Sequence, residues 1–256
     1  HHLRPRGGSK TEGVHLVTPQ GLVPWETNQR GPEDVRRAQV LDTKHLGFGK
    51  LMLPDKLAFS AVSLMLRYLP APPDEQTGVC MALPYGSLST DLRYNETVAA
   101  GFPSPAVFSA TLPSSPVSEI TIYHKFKGPN RVFAQGGLAG LYALESALHI
   151  IRHGKAREMV VVAVTAVEHQ DIDSPHLPAG SRPRAAHAHA VLLCAGPGRG
   201  LRRGVDIELR RAGDTVPTED GGNYFRLFVD ALAQPDEAVI DLRTADCTGR
   251  IEIARG

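Results

Sequence analysis

Residues 128–144 have the order of a corner that carries a catalytic nucleophile. A Gly-Pro turn leads into a short apolar strand, and the strand ends at Gln135-Gly136-Gly137, where a long helix starts. The first residue of such a corner lies at the helix N-terminus. Unpaired N–H groups and the helix dipole would there lower the pKa of a cysteine and make it a strong nucleophile. This chain has Gln135 instead, which has no nucleophilic atom, so the corner itself predicts no covalent catalysis.

Two groups of histidines could bind a metal ion. Glu145, His149 and His153 are spaced by four and could share one helix face, but a solvated helix edge is the favoured interpretation. His187 and His189 alternate at the start of a predicted strand, where exposed polar alternation is favoured over ligation. We therefore expect no metal and no cofactor.

Composition excludes several classes of function. The 256 residues carry 28 Lys+Arg and 27 Asp+Glu, a net charge of +1 that gives no signal for a nucleic-acid partner. The three cysteines, Cys80, Cys194 and Cys247, include no CxxC pair, which argues against a disulfide framework or a zinc site. No apolar run reaches membrane-spanning length and no signal peptide is visible, so a cytoplasmic protein is expected.

Arginines are concentrated in the later third of the chain. A solvated face is the default interpretation, and a docking patch for an acidic carrier protein is the alternative. The residues are Arg182, Arg184, Arg199, Arg202, Arg203, Arg210 and Arg211.

Periodicity predicts one α/β domain over residues 13–256, preceded by a tag or disordered N-terminus at 1–12. Strands are predicted at 14–18, 78–83, 130–134, 159–164 (buried and parallel), 189–194, 205–211, 238–242 and 250–254. Helices are predicted from Pro54 onward and at 87–100, 104–112, 117–123, 136–153 and 224–233. Loops are predicted at 19–24, at 28–50 with one possible helical turn, and at 171–184.

In order and spacing, these elements resemble the N-terminal half of a β-ketoacyl synthase, a thiolase-fold enzyme of fatty acid and polyketide synthesis. The resemblance implies a layered, thiolase-like α/β fold that is truncated relative to a full ketosynthase. It is carried by the strand Gly78-Val79-Cys80-Met81-Ala82, the Gly128-Pro129 turn, the corner Phe133-Ala134-Gln135-Gly136-Gly137, the small-residue helix after it, and the buried strand before Val167-Glu168.

Two departures from the family pattern bear on function. Gln135 stands where the family has its acyl-accepting cysteine, as it does in chain-length factors and in loading-module decarboxylases. No His-Gly-Thr-like or Asn-x-Phe-Gly-like motif follows residue 200, so the histidines that a decarboxylase needs as oxyanion donors are missing. The resemblance therefore implies a non-catalytic, chain-length-factor-like subunit of a type II polyketide synthase. Such a subunit forms a heterodimer with a ketosynthase and meets an acyl carrier protein transiently, with no nucleic acid and no membrane as partner.

The same resemblance implies where the partner and the acyl tunnel would lie. The strand before the corner would pair with the partner across a two-fold axis, and the segment from Val107 onward would line the far end of the tunnel. Phe108 is the candidate closing side chain, although an ordinary core position is slightly favoured for it. The interface and tunnel candidates are Val107, Phe108, Thr111, Arg131, Val132, Phe133, Ala134 and Gln135.

Two other classes of function stay open. One is an independent acyl-thioester enzyme that uses Cys80 or Ser109 as its nucleophile. The other is a carrier-protein or acyl-binding module without a synthase partner.

Overall fold

The computed structural model describes residues 14–17, 22–24, 36–67, 69, 71–134, 136–166, 186–195, 203–211, 238–243 and 247–253. The helices in these ranges are α1 (Arg37–Val40), α2 (Leu53–Arg67), α3 (Leu88–Ala99), α4 (Pro105–Ser109), α5 (Ser115–His124) and α6 (Ala139–Arg152). The strands are β1 (Val14–Val17), β2 (Leu22–Pro24), β3 (Gly78–Ala82), β4 (Asn130–Phe133), β5 (Glu158–Thr165), β6 (His187–Ala195), β7 (Arg203–Arg211), β8 (Ala238–Arg243) and β9 (Cys247–Ile253).

The described strands form one mixed sheet in the order β4-β3-β5-β6-β1-β7-β9-β8, with β2 also paired to β6. β3 is parallel to β4 and to β5, which confirms the parallel assignment of the strand at 159–164. The other neighbour of β5 is β6, which runs antiparallel to it. β5 is buried along nearly its whole length, as its unbroken run of apolar residues predicts.

Helices cover both faces of this sheet. Alternate residues of a strand point to opposite faces: Val160 and Val162 of β5 join the core under α2 and α5, whereas Met159 and Val161 join the core under α6. The result is a three-layer α/β arrangement with two hydrophobic cores. Among the described helices, α6 covers the second core.

One predicted loop needs correction, and two other predicted segments lie outside the described residues. Residues 22–24, predicted as loop, form β2; its Pro24 is tolerated because β2 pairs only with β6 among the described strands. The strands predicted at 189–194 and 205–211 are β6 and β7, and β1 lies between them in the sheet. The predicted helix at 224–233 and loop at 171–184 lie outside the described residues.

Two ionisable side chains, the buried Asp55 and the half-buried His124, join α5 to α2. Asp55 is 2% exposed, and its Oδ1 accepts a hydrogen bond of 2.6 Å from the Ser115 hydroxyl. Burial raises the pKa of Asp55 from 3.8 to about 6, against the opposing effect of the Ser115 hydrogen bond. His124 lies within 3.0 Å of the Ser63 hydroxyl through Nε2. Burial, and then the charge of His45, lower the pKa of His124 from 6.5 to about 4.

Candidate functional site at the corner and edge strand

The backbone of β4 has one neighbour, β3, among the described strands. The amides of Val79 and Leu83 donate to the carbonyl oxygens of Pro129 and Phe133, at 3.0 and 2.8 Å. Residues 129, 131 and 133 therefore direct their backbone groups toward β3. Because backbone groups alternate along a strand, those of Asn130 and Val132 point away from the sheet. Such an edge is a template for pairing with another strand.

The apolar side chains of β4 pack mainly within this chain, so the edge offers a partner chiefly its backbone groups. Asn130 and Arg131 are exposed, whereas Val132 and Phe133 are half-buried. Val132 packs on the core under α2, and Phe133 packs on the core under α6. A charge at Val132 would therefore damage the fold of this chain as well as any interface, so an interface test has to address the backbone.

The corner that follows β4 is tight, and a glycine makes it possible. Gly136 has φ +60, a conformation that side-chain-bearing residues rarely adopt, and it opens a short 3-10 helix (Gly136–Leu138) that continues into α6. Ala134 is exposed, and its Cβ lies 4.0 Å from the position that a Cβ on Gly86 would take. Gln135 lies outside the described residues. The described corner residues carry no nucleophile, and by sequence neither does Gln135.

Cys80 is unsuited to act as the alternative nucleophile. It is fully buried in β3 on the side of α6. Burial raises the pKa of the Cys80 thiol to about 11, despite the lowering effects of Ser146 and Arg131. The Arg131 guanidinium is instead bound to Ser146, with Nη1 donating to Oγ at 3.0 Å. A buried thiol that stays protonated at neutral pH is neither reachable nor reactive.

Ser109, the other alternative nucleophile, is exposed at the end of α4. Its hydroxyl donates to the carbonyl oxygen of Ala106 at 2.9 Å. Within the described residues, no hydrogen bond joins it to an imidazole or a carboxylate. Without such a base, a serine hydroxyl is a weak nucleophile.

The tunnel candidates lie on a separate part of the molecule, on and after α4. Val107 is buried, and its N–H lies 3.4 Å from the Ser104 hydroxyl that caps the helix. Phe108 is 58% exposed and rests its ring against that of Tyr94, with centroids 5.2 Å apart. The favoured prediction of a core position for Phe108 is therefore wrong. Thr111 is half-buried, and its hydroxyl donates to the carbonyl oxygen of Phe108 at 2.7 Å.

Phe108 belongs to a set of exposed apolar side chains that sequence analysis missed. They occupy the end of α3, the turn after it, α4 and the residues that follow, and we call them the α3–α4 apolar surface. They follow one another within 15 residues of the sequence on elements that pack together, and exposed apolar side chains are typical of interaction sites when they form one patch. The members and their exposed fractions are Val98 (49%), Phe102 (84%), Phe108 (58%) and Leu112 (60%).

α3 connects this surface to the corner. The loop before α3 contains Gly86, which lies against Ala134, and the far end of α3 packs on α4. At 1.5 Å per residue, the 12 residues of α3 separate the two regions by roughly 18 Å. The structure therefore does not bring the two groups of candidate residues into one compact site.

The histidine groups differ from expectation in one case. His189 is 5% exposed, so the prediction of an exposed alternation at His187 and His189 is wrong. The reason is that β6 is an inner strand: His189 pairs with Leu22 of β2 on one side and with Ala163 of β5 on the other. No group of three metal-ligating side chains occurs in the part of the chain that the structure describes.

The predicted arginine patch lies mostly outside the described residues. Arg182, Arg184, Arg199 and Arg202 lie outside the described residues, and Arg203, Arg210 and Arg211 are described only as backbone of β7.

Comparison with solved structures identifies the class of fold. No protein-family model matches the sequence, and no curated protein matches it significantly. Solved ketosynthase structures do match, which confirms the predicted thiolase-like layered α/β fold. None of the described helices is long and apolar enough to cross a membrane.

Three of these structures show the extent of the likeness. A chain of the ketosynthase ApeO in complex with its chain length factor ApeC, from Xenorhabdus doucetiae, matches 94% of this chain over 99% of its own length, with a TM-score of 0.66 and 16% identity. A chain of AntDE:AntF, a type II PKS acyl-carrier protein in complex with its ketosynthase, matches 96% of this chain over 98% of its own length, with a TM-score of 0.66 and 11% identity. A β-ketoacyl synthase from Burkholderia phymatum matches 80% of this chain over 64% of its own length, with a TM-score of 0.53 and 13% identity.

Proposed function

We propose that this chain is the non-catalytic, chain-length-factor-like subunit of a type II polyketide synthase. It pairs with a complete ketosynthase through strand β4, and the pair meets an acyl carrier protein during elongation in the cytoplasm. In this proposal the ketosynthase supplies the nucleophile and every catalytic side chain. This chain supplies an interface and part of the wall of the acyl tunnel.

The observation that carries the proposal is the combination found at β4. The strand lies at a sheet edge with the backbone groups of Asn130 and Val132 directed outward, and it ends in a corner whose described residues have no nucleophile. Cys80 is buried with its pKa raised to about 11, so it does not replace the missing thiol. A subunit that associates but does not react accounts for both properties.

The α3–α4 apolar surface supports the second half of the proposal. Burial of its four side chains against a partner or an acyl chain would remove apolar area from water, at about 25 cal/mol per Å². The surface is joined through α3 to the corner at the end of β4. A ketosynthase that pairs with β4 would therefore have this surface within reach, which fits a tunnel that crosses the interface.

Co-expression and reconstitution test the proposal. This chain is expressed alone and together with a ketosynthase encoded beside it, and each preparation is given malonyl-loaded acyl carrier protein. We expect a one-to-one complex that elongates the chain, and no elongation by this chain alone. Elongation by this chain alone would favour the independent enzyme, and a ketosynthase that is fully active without it would remove the need for a subunit.

Phe108 offers a separate test of the tunnel wall. Because its side chain is 58% exposed, Phe108→Ala should leave the melting temperature of this chain nearly unchanged, unlike the loss of about 3–5 kcal/mol for a core phenylalanine. In the reconstituted complex, the smaller side chain should lengthen the product by at least one two-carbon unit. A product of unchanged length from an intact complex would remove Phe108 from the tunnel.

A further inference from the structure

The C-terminal turn of α6 carries two exposed histidines with the arrangement of a metal chelate. His149 and His153 are one helical turn apart, and their ring centroids lie 3.9 Å apart with an angle of 31° between the ring planes. Two imidazole nitrogens bound side by side to one ion at 2.0–2.1 Å lie about 3 Å apart. The 3.9 Å separation of the ring centroids is therefore close to the spacing that two imidazoles need to bind one ion.

The hydrogen bonding of His153 matches that of a metal ligand. Its Nδ1 lies 2.9 Å from the carbonyl oxygen of His149. A carbonyl oxygen can only accept, so Nδ1 carries the proton and the lone pair of Nε2 is left for a ligand. Metal-binding histidines characteristically donate their other N–H to a carbonyl or carboxylate, which fixes the ring and makes the ligating nitrogen more basic.

The surroundings decide which kind of ion is held. The carbonyl end of the helix dipole favours a cation at this turn. Arg152 and Lys155 are exposed nearby, and their positive charges repel a cation that is held by charge alone. Hard ions that prefer oxygen ligands, such as Mg²⁺ and Ca²⁺, are therefore disfavoured, whereas ions that bind imidazole strongly, such as Cu²⁺, Ni²⁺ and Zn²⁺, are favoured.

We infer that His149 and His153 form a bidentate site for a divalent first-row transition metal, with water in the remaining positions. Glu145, one turn earlier, is half-buried and makes other contacts, so it is not part of the site. The site lies at the end of α6 opposite to the corner. It does not depend on the proposed function, because neither β4 nor the α3–α4 apolar surface contributes to it.

The test uses the full chain with Ni²⁺ and Cu²⁺ as probes. We expect calorimetry to show one saturable Ni²⁺ site whose affinity is at least tenfold weaker in His153→Ala and in His149→Ala. Copper resonance spectra of the unchanged chain should contain a component with two ligating nitrogens that is absent from each variant. The double variant H153A/K155H keeps the number of imidazoles but separates them, and it should behave like His153→Ala.

The remaining histidines, including His1 and His2, are the same in all these proteins, so their contribution cancels. Because both side chains are exposed, the melting temperatures without metal should agree, which shows that the variants fold. Equal Ni²⁺ affinity in the unchanged chain and in the variants, or Mg²⁺ displacing Ni²⁺ at similar concentration, would overturn the inference.

Discussion

Val132→Pro should abolish association with the ketosynthase while this chain stays folded. Proline removes the N–H of Val132, which points away from β3, and its ring obstructs a strand on that side. The bonds that hold β4 to β3 come from the alternate residues, including the carbonyl oxygens of Pro129 and Phe133, and are retained. Co-purification of the two subunits, with circular dichroism of this chain alone, measures both effects.

Val132→Ala is the matched control for this change. It removes a similar part of the packing against the core under α2 but keeps the N–H, so it should associate normally apart from some loss of stability. If Val132→Pro co-purifies with the ketosynthase at full yield, the interface does not use the backbone of β4. If both variants lose association equally, packing and not strand pairing is responsible.

The second large effect concerns the pH dependence of the free energy of unfolding. Asp55 and His124 contribute to it in opposite directions. The pKa of Asp55 is raised to about 6, so its contribution is fully present below its ordinary 3.8 and is lost as the pH rises through 6. The pKa of His124 is lowered to about 4, so its contribution is present above 6.5 and is lost as the pH falls toward 4. Each amounts to about 3 kcal/mol, and between pH 4 and 6 they nearly cancel.

Removing one group should expose the other. In Asp55→Asn, which can still accept the Ser115 hydrogen bond, the free energy of unfolding should rise by about 3 kcal/mol from pH 4 to 6.5. In His124→Gln, it should fall by a similar amount from pH 4 to 6. Urea unfolding at several pH values measures the free energy of unfolding of both variants and of the unchanged chain. Three parallel curves would mean that neither group is shifted as the structure indicates.

The elements around the corner could be predicted from sequence because local signals agree there. The Gly-Pro turn, the apolar residues Val132 and Phe133 and the glycines that precede α6 all favour one strand–corner–helix unit. Gly154, with φ +65, follows the end of α6 in the left-handed conformation that glycine favours. β5 could be recognised because a strand buried on both faces leaves an unbroken apolar run.

The errors arose where a residue's environment depends on distant segments. His189 is buried because β2 and β5 flank it, and the pairing of β2 includes Pro24, a residue that argues locally for a loop. Phe108 was expected in the core because aromatic residues usually are, but its surroundings are set by the packing of α3 on α4. The hydrogen bond between Ser115 and Asp55 joins residues 60 positions apart, so no local sequence pattern predicts it.

The central claim is that this chain associates with a ketosynthase but takes no acyl group itself. Intact-mass spectrometry of the co-purified pair, after incubation with an acyl-loaded carrier protein, tests both parts in one measurement. The account predicts equimolar subunits, an acyl adduct on the ketosynthase, and an unchanged mass for this chain. A stoichiometric acyl adduct on this chain would contradict it.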